Sequence, residues 1–294
     1  MLVTLLGTGC PQVHRHRFGP ASLVRAGDAS FLVDCGSGVT QRMASAGLSG
    51  ARLDALLLTH LHSDHVVDLY QLIISGWHQG RDRAQRVFGP AGTREFALAL
   101  MEVWRKEREL RIAWECRPSA TGLELEIIEF EEGVIWQQDG IRISAFEVDH
   151  GPVKPAFGFL FESQHCRVAF SGDTTVCDKL VNAAQDVDLL VHECFIHGEM
   201  AARRSMPNDQ GLVNVAAYHT LSSEVGKVAT RARARALLLN HLVPVEFDRD
   251  ALLGEVGADF AGPLVIGEDL LTIDVPHRAL GYGGLRLAFG GRSG

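Results

Sequence analysis

No stretch of this sequence approaches the roughly 18 consecutive apolar residues that a membrane helix needs. No Cys-x-x-Cys pair occurs among the six cysteines, Cys10, Cys35, Cys116, Cys166, Cys177 and Cys194, and a chain of 294 residues needs no disulfide staples. Reduced thiols and a cytoplasmic location are the simplest expectation. Met1-Leu-Val-Thr-Leu-Leu-Gly7 lacks both a basic n-region and a long apolar h-region, so it reads as a first strand and not as a secretory leader. Low-complexity tracts, long charge runs and Pro-rich linkers are also missing. A single domain over residues 1–280 is therefore expected, with a loose Gly-rich tail over 281–294. Positive charge is in short supply: 28 Lys and Arg stand against 36 Asp and Glu, a net charge of −8. Such a balance disfavours nucleic acid as a bulk electrostatic partner. Arginines at Arg15, Arg17, Arg203, Arg204, Arg231, Arg233 and Arg235 leave room for a local basic patch.

What is present is ordinary globular material, 46% hydrophobic and 22% charged. Short β-rich runs at Leu2–Leu6, Ala21–Val24 and Ser30–Val33 are separated by turn residues, as in an antiparallel meander. Helical spacing follows at Val39–Ala46, Val66–Trp77 and Thr93–Arg108, with the buried strand Ala55–Leu58 among them. Asp139-Gly140 between two apolar runs marks a hairpin. Further strands are expected at Phe157–Phe161, Val168–Ser171, Asp188–Val191 and Leu237–Asn240, and helices at Thr175–Ala184 and Ser222–Ala232. Two packed sheets with helices outside, a four-layer α/β sandwich, accommodate this order. Composition alone does not select it over other α/β folds.

The decisive segment is Thr59-His60-Leu61-His62-Ser63-Asp64-His65, directly after an apolar strand. A strand end followed by a tight loop can aim alternate side chains in two directions, so His60 and His62 can meet one ion while Asp64 and His65 meet another. Neutral imidazole suits zinc and other first-row metals, and a carboxylate suits a harder second position. Three further candidates also follow strands: His150 in Val148-Asp-His-Gly151, Asp173 in Ser171-Gly-Asp-Thr174, and His241 after Leu237-Leu-Leu-Asn240. Each alone would more often be an ordinary polar loop residue.

The first segment is the H-x-H-x-D-H pattern, and in this order the set resembles the metallo-β-lactamase superfamily. The resemblance implies the αββα sandwich and two divalent ions, zinc by default with manganese, iron or cobalt as alternatives. It implies that His60, His62 and His150 hold one ion, that Asp64, His65 and His241 hold the other, and that Asp173 bridges them. Leu6-Gly-Thr-Gly9, Asp34-Cys-Gly36, His192-Glu193 and His219-Thr220 are similar to motifs of the ribonuclease Z and phosphodiesterase branch. By that resemblance His219 is the general acid, Glu193 its carboxylate partner and Asp64 a further catalytic residue, with His192 supporting them. Homodimerisation is likewise implied by kinship.

One departure matters. Ribonuclease Z proteins carry a long basic arm between the equivalents of His150 and Asp173 that grips tRNA, whereas Gly151–Gly172 reads as a hairpin with no residues to spare. The expected activity is thus hydrolysis of small phosphodiesters. A hydroxide shared by two ions about 3.5–4 Å apart would attack in line, and His219 would protonate the leaving oxygen. Arylsulfatase, lactone or other ester hydrolysis on the same centre is the alternative; tRNA processing and a non-catalytic binding role rank below. Arg17 is a candidate to neutralise an anionic substrate through its planar fork, with a solvated basic loop as the competing reading. Trp77 and Trp104 read as packing residues, and His165, His197 and His277 as structural or exposed.

Overall fold

The computed structural model describes residues 1–198 and 209–289; Arg203 and Arg204 lie outside these. In chain order the first strands are β1 (Leu2–Gly7), β2 (Ala21–Ala26), β3 (Ala29–Val33), β4 (Ala55–Leu57), β5 (Gln85–Gly89) and β6 (Leu125–Glu129). Then follow β7 (Gly133–Gln138), β8 (Ile141–Glu147), β9 (Phe157–Glu162), β10 (Arg167–Phe170), β11 (Leu189–Phe195), β12 (Leu237–Val243) and β13 (Leu264–Ile266), which together make a second sheet. The last three, β14 (Thr272–Asp274), β15 (Ala279–Tyr282) and β16 (Leu285–Ala288), return to the first sheet. Among the described residues the first sheet therefore has nine strands in the order β16-β15-β14-β1-β2-β3-β4-β5-β6, and the second has seven, β13-β12-β11-β10-β9-β8-β7.

Phe31, Val33 and Leu57 of one sheet and Ile143, Phe159, Phe161 and Val191 of the other fill the space between them. Phe31 meets Trp136 edge-on at 5.0 Å between ring centroids, the arrangement aromatic quadrupoles favour. Helices cover both outer faces. On the first sheet lie α1 (Val39–Ser45), α2 (Ser63–Val66), α3 (Leu69–His78) and α4 (Thr93–Val103), and α5 (Arg105–Glu115) follows α4 without burying a residue. The later helices are α6 (Asp178–Ala183), α7 (Asp209–Ala216), α8 (Ser222–Arg231) and α9 (Arg249–Gly257). Leu180 of α6, Val225 and Val228 of α8 and Leu252 of α9 pack on the outer face of the second sheet. This is the αββα sandwich expected from the sequence.

Local chemistry explains most elements. Asp139 and Gly140 have φ of 50° and 74°, the left-handed pair that a two-residue hairpin requires between β7 and β8. Asp248 caps α9 by accepting from the backbone N–H groups of Asp250 and Ala251. The antiparallel meander expected of the first three runs is present as β1, β2 and β3, and β3 to β6 then run parallel. Two expectations change. The helix expected over Thr93–Arg108 breaks at Trp104, which sits at φ −97° and ψ 12°, outside the helical well, with its ring stacked on Tyr70 at 4.8 Å. Within the tail expected to be loose, Leu285–Ala288 pairs with β15 as β16, because Gly283 and Gly284 supply a positive-φ turn. No helix among the described residues is long and apolar enough to cross a membrane.

Candidate metal centre

The site gathers where strands of both sheets end, the usual place for ligands in α/β sheets. β4 runs into Thr59 and His60, β8 into the loop bearing His150, and β10 into Ser171-Gly172-Asp173. His62 caps α2, whose short turn presents Asp64 and His65. His241 sits inside β12 and not after it. It is the extra residue of a β-bulge, between the pairs Glu193–Asn240 and Cys194–Leu242, with φ at 42°. A bulge re-aims one side chain without ending the strand, and here it turns His241 towards the cluster.

All seven expected ligands come together, in groups whose candidate ligand atoms lie within 4.8 Å of one another. His60, His62, His150 and Asp173 form one group, and Asp64, His65 and His241 another. Asp173 Oδ2 lies 3.9 Å from His60 Nε2, 3.9 Å from His150 Nε2, 3.3 Å from His65 Nε2 and 3.3 Å from His241 Nε2, so it reaches both sets. His60 Nε2 and His65 Nε2 are buried and without a hydrogen-bond partner. Buried polar atoms are normally paired, so two orphaned imidazole nitrogens converging on one carboxylate fit a cation between them. Their outer nitrogens are secured: Thr59 Oγ1 lies 2.9 Å from His60 Nδ1, and Asp34 Oδ2 lies 2.8 Å from His65 Nδ1. His150 Nδ1 lies 2.7 Å from the carbonyl oxygen of Tyr218.

Asp34 is a residue whose role the sequence did not disclose. It accepts from Thr59 N and Thr59 Oγ1 as well as holding His65. Carboxylates placed behind ligating histidines fix ring orientation and raise basicity. The signal available was Asp34-Cys-Gly36 after an apolar strand, which resembles a branch motif but also resembles any turn.

Electrostatics divide the cluster. Burial, aided by the neighbouring imidazoles, holds His60 well below the usual histidine range. Burial also lowers His62 and His150. Burial opposes charge on His65 and His241 too, but the carboxylates of Asp173, Asp34 and Asp64 outweigh it and raise both. Neutral imidazoles therefore sit on one side and carboxylate-paired ones on the other.

Beside the cluster, His219 Nδ1 lies 2.8 Å from Glu193 Oε2 and 2.9 Å from Oε1. Both side chains are buried, and Thr174 N donates to Glu193 at 2.7 Å. Burial works against the charged ring, but Glu193 overrides it and pushes His219 up to about 9. His219 also falls within ligand reach of Asp173 and His241. His192 points elsewhere: its Nδ1 contacts the carbonyl of Glu193 at 2.7 Å, and burial pushes it down to about 4.

Arg17 does not have the free fork expected of it. Its Nη1 donates to Thr8 Oγ1 and to the carbonyl of Gly267, and its Nη2 pairs with Glu268 at 2.8 Å. The guanidinium is buried and spent on holding the loop after β1, and two of its partners, Gly267 and Glu268, lie some 250 residues away, out of reach of local reading. That loop and Ser63, Asp64 and Val67 line a cavity of about 370 Å³ next to the cluster. Three of the other basic candidates are also engaged: Arg231, Arg233 and Arg235 pair with Asp178, Asp186 and Asp188. Trp77 is buried in the core with its N–H on the carbonyl of Ser119.

An αββα sandwich with this His/Asp cluster at its strand ends defines a metal-dependent hydrolase of the metallo-β-lactamase fold. Comparison with known proteins narrows the class. Residues 1–205 match the family described as anti-Pycsar protein Apyc1. The chain is 36% identical over 281 residues to a ribonuclease Z of Mycobacterium bovis, covering 94% of this chain and 99% of the relative. The metallo-β-lactamase fold protein YhfI of Bacillus subtilis superposes with a TM-score of 0.72 at 23% identity, over 92% of this chain and 98% of that one. The short form of human tRNase Z gives a TM-score of 0.70 at 21% identity, over 94% and 100% of the two chains. The chain belongs to the anti-Pycsar protein Apyc1 family, within the ribonuclease Z-like branch of the metallo-β-lactamase superfamily.

Proposed function

We propose that this protein hydrolyses small phosphodiesters on a dinuclear centre, with His219 as the general acid. The observation that carries the reading is the Glu193–His219 pair, 2.8 Å apart and buried beside Asp173. Two divalent ions, zinc by default, would be held by His60, His62 and His150 and by Asp64, His65 and His241, with Asp173 shared. When bound they supply an ionised water at neutral pH and positive charge for the developing oxyanion. Asp64 Oδ2 and His241 Nε2 lie 3.3 Å apart, so both would face the same ion. Glu193 fixes His219 through Nδ1 and favours its protonated form, leaving Nε2 to hand a proton to the departing oxygen.

Two features support a small substrate. Gly151–Gly172 contains only a turn and the antiparallel β9–β10 pair, which leaves no chain for an arm. The 370 Å³ cavity is at the small end of ligand pockets. The curated relatives named ribonuclease Z favour RNA as the second reading, and an arylsulfatase remains the alternative on the same centre.

The test is a parallel rate assay of the zinc-loaded protein on bis(p-nitrophenyl) phosphate, p-nitrophenyl sulfate and a tRNA precursor, with His219→Ala alongside. Preference for the phosphodiester is expected, with His219→Ala keeping both ions and losing roughly 10²–10⁴ in rate, most for poor leaving groups. Asp173→Ala should lose metal and turnover together. Equal metal loss in the two variants would sink the division of roles, and cleavage of the tRNA alone would overturn the small substrate. Homodimerisation, implied by kinship, is read from molar mass in solution. Trp114→Glu is the variant to compare, since α5 buries none of its residues and exposes Leu110, Ile112 and Trp114.

A further inference from the structure

A ligating imidazole needs its ring held from behind, and three of the four buried candidate-ligand histidines show the holder: Thr59 for His60, Asp34 for His65 and the Tyr218 carbonyl for His150. His241 differs. Its Nε2 faces Asp64 and Asp173, each at 3.3 Å, while its Nδ1 is buried with no hydrogen-bond partner. The bulge explains why: turning the residue out of register leaves no strand neighbour behind the ring. The preceding residue, Asn240, has its Oδ1 in the same condition, buried and unpaired.

Both residues line one small cavity of about 30 Å³ beneath the cluster. A space needs roughly 10–15 Å³ of this kind to admit a water, and polar walls make it wet. Asp34 in the wall is committed to Thr59 and His65, and Glu193 to Thr174 and His219. His192 Nε2 is a further unpaired atom of this wall, but it belongs to neither neighbour of the bulge, whereas His241 Nδ1 and Asn240 Oδ1 come from consecutive residues. A water accepting from His241 Nδ1–H and donating to Asn240 Oδ1 satisfies both.

We infer that Asn240 is a positioning residue that acts through one internal water to hold His241 as the Nδ1–H tautomer, which leaves the Nε2 lone pair for an ion. The inference rests on the metal-centre reading above. Second partners of this kind are worth 10–100-fold in metal affinity, and this one belongs to the ion held by Asp64, His65 and His241 alone.

Asn240→Leu keeps the volume and removes the acceptor; Asn240→Ser keeps an acceptor and leaves space for water. Chelator competition on the zinc-loaded proteins should show one of the two ions bound 10–100-fold more weakly in Asn240→Leu, with Asn240→Ser close to the native protein. In ¹⁵N spectra of the native zinc protein, His241 Nδ1 should carry a slowly exchanging proton, a readout that does not depend on the variants folding. A deprotonated Nδ1, or an Asn240→Leu protein that binds both ions as tightly as the native one, overturns the inference while the centre stands. A native protein that takes up no ions overturns the centre and the inference together.

Discussion

Asp34 holds a left-handed backbone, φ 62°, which costs a non-glycine residue on the order of 1–3 kcal/mol. Strain of that size persists where something fixes it, and here the carboxylate is pinned by Thr59 N, Thr59 Oγ1 and His65 Nδ1. Asp34→Ala should therefore lower zinc affinity by roughly 10–100-fold through a loosened His65, with folding retained. Metal competition on the purified variant checks this, and unchanged affinity would reduce Asp34 to a turn residue. The seven candidate ligands were legible in sequence because the H-x-H-x-D-H segment and the three later residues follow one another in a recognisable order. Asp34, Asn240 and the true partners of Arg17 were not, since what defines them is who sits opposite across the fold. For Arg17 that is Glu268.

At the scale of elements, alternating apolar runs gave away β1 to β4 and β7 to β12. The short closing strands were unread, because three-residue pieces such as Leu264–Ile266 carry no period. The break at Trp104 was hidden because most residues on both sides are good helix formers, and the stacking of Trp104 on Tyr70 is a contact with another helix. Contacts between loops matter as much as elements here. A Cβ on Gly36 would lie 2.4 Å from Gly19 C, 2.6 Å from the carbonyl oxygen of Asp64 and 2.6 Å from Pro20 N. All three are backbone, so none can swing aside. Gly36→Ala should destabilise by about 1–3 kcal/mol, the usual range for overpacking. It should also weaken metal binding by displacing the Asp64 turn. Calorimetry and zinc titration on one sample test the link: lost stability with untouched affinity would uncouple this close approach from the centre.

For the whole molecule, the cluster is a concentration of buried polar groups set against a dry core. His60, His65, His150, His241 and Asp173 are all buried, and gathering them costs desolvation that ion pairing only partly offsets. Ions bound to the folded state alone add about 2.7 kcal/mol each at a hundred times their dissociation constant. Two ions then give about 5 kcal/mol, or roughly 10–20 °C in melting temperature at the 2–4 °C per kcal/mol typical of larger domains. The core between the sheets, with Phe31, Phe159 and Phe161 fully enclosed, does not involve the cluster. Chelated protein should accordingly still melt cooperatively, but at a lower temperature that zinc restores. Scanning calorimetry with and without chelator measures the difference. An unchanged melting temperature after confirmed metal removal would mean that the histidines and aspartates are held in place by packing alone. Collapse of the transition would mean that the ions organise the sandwich as well as the site.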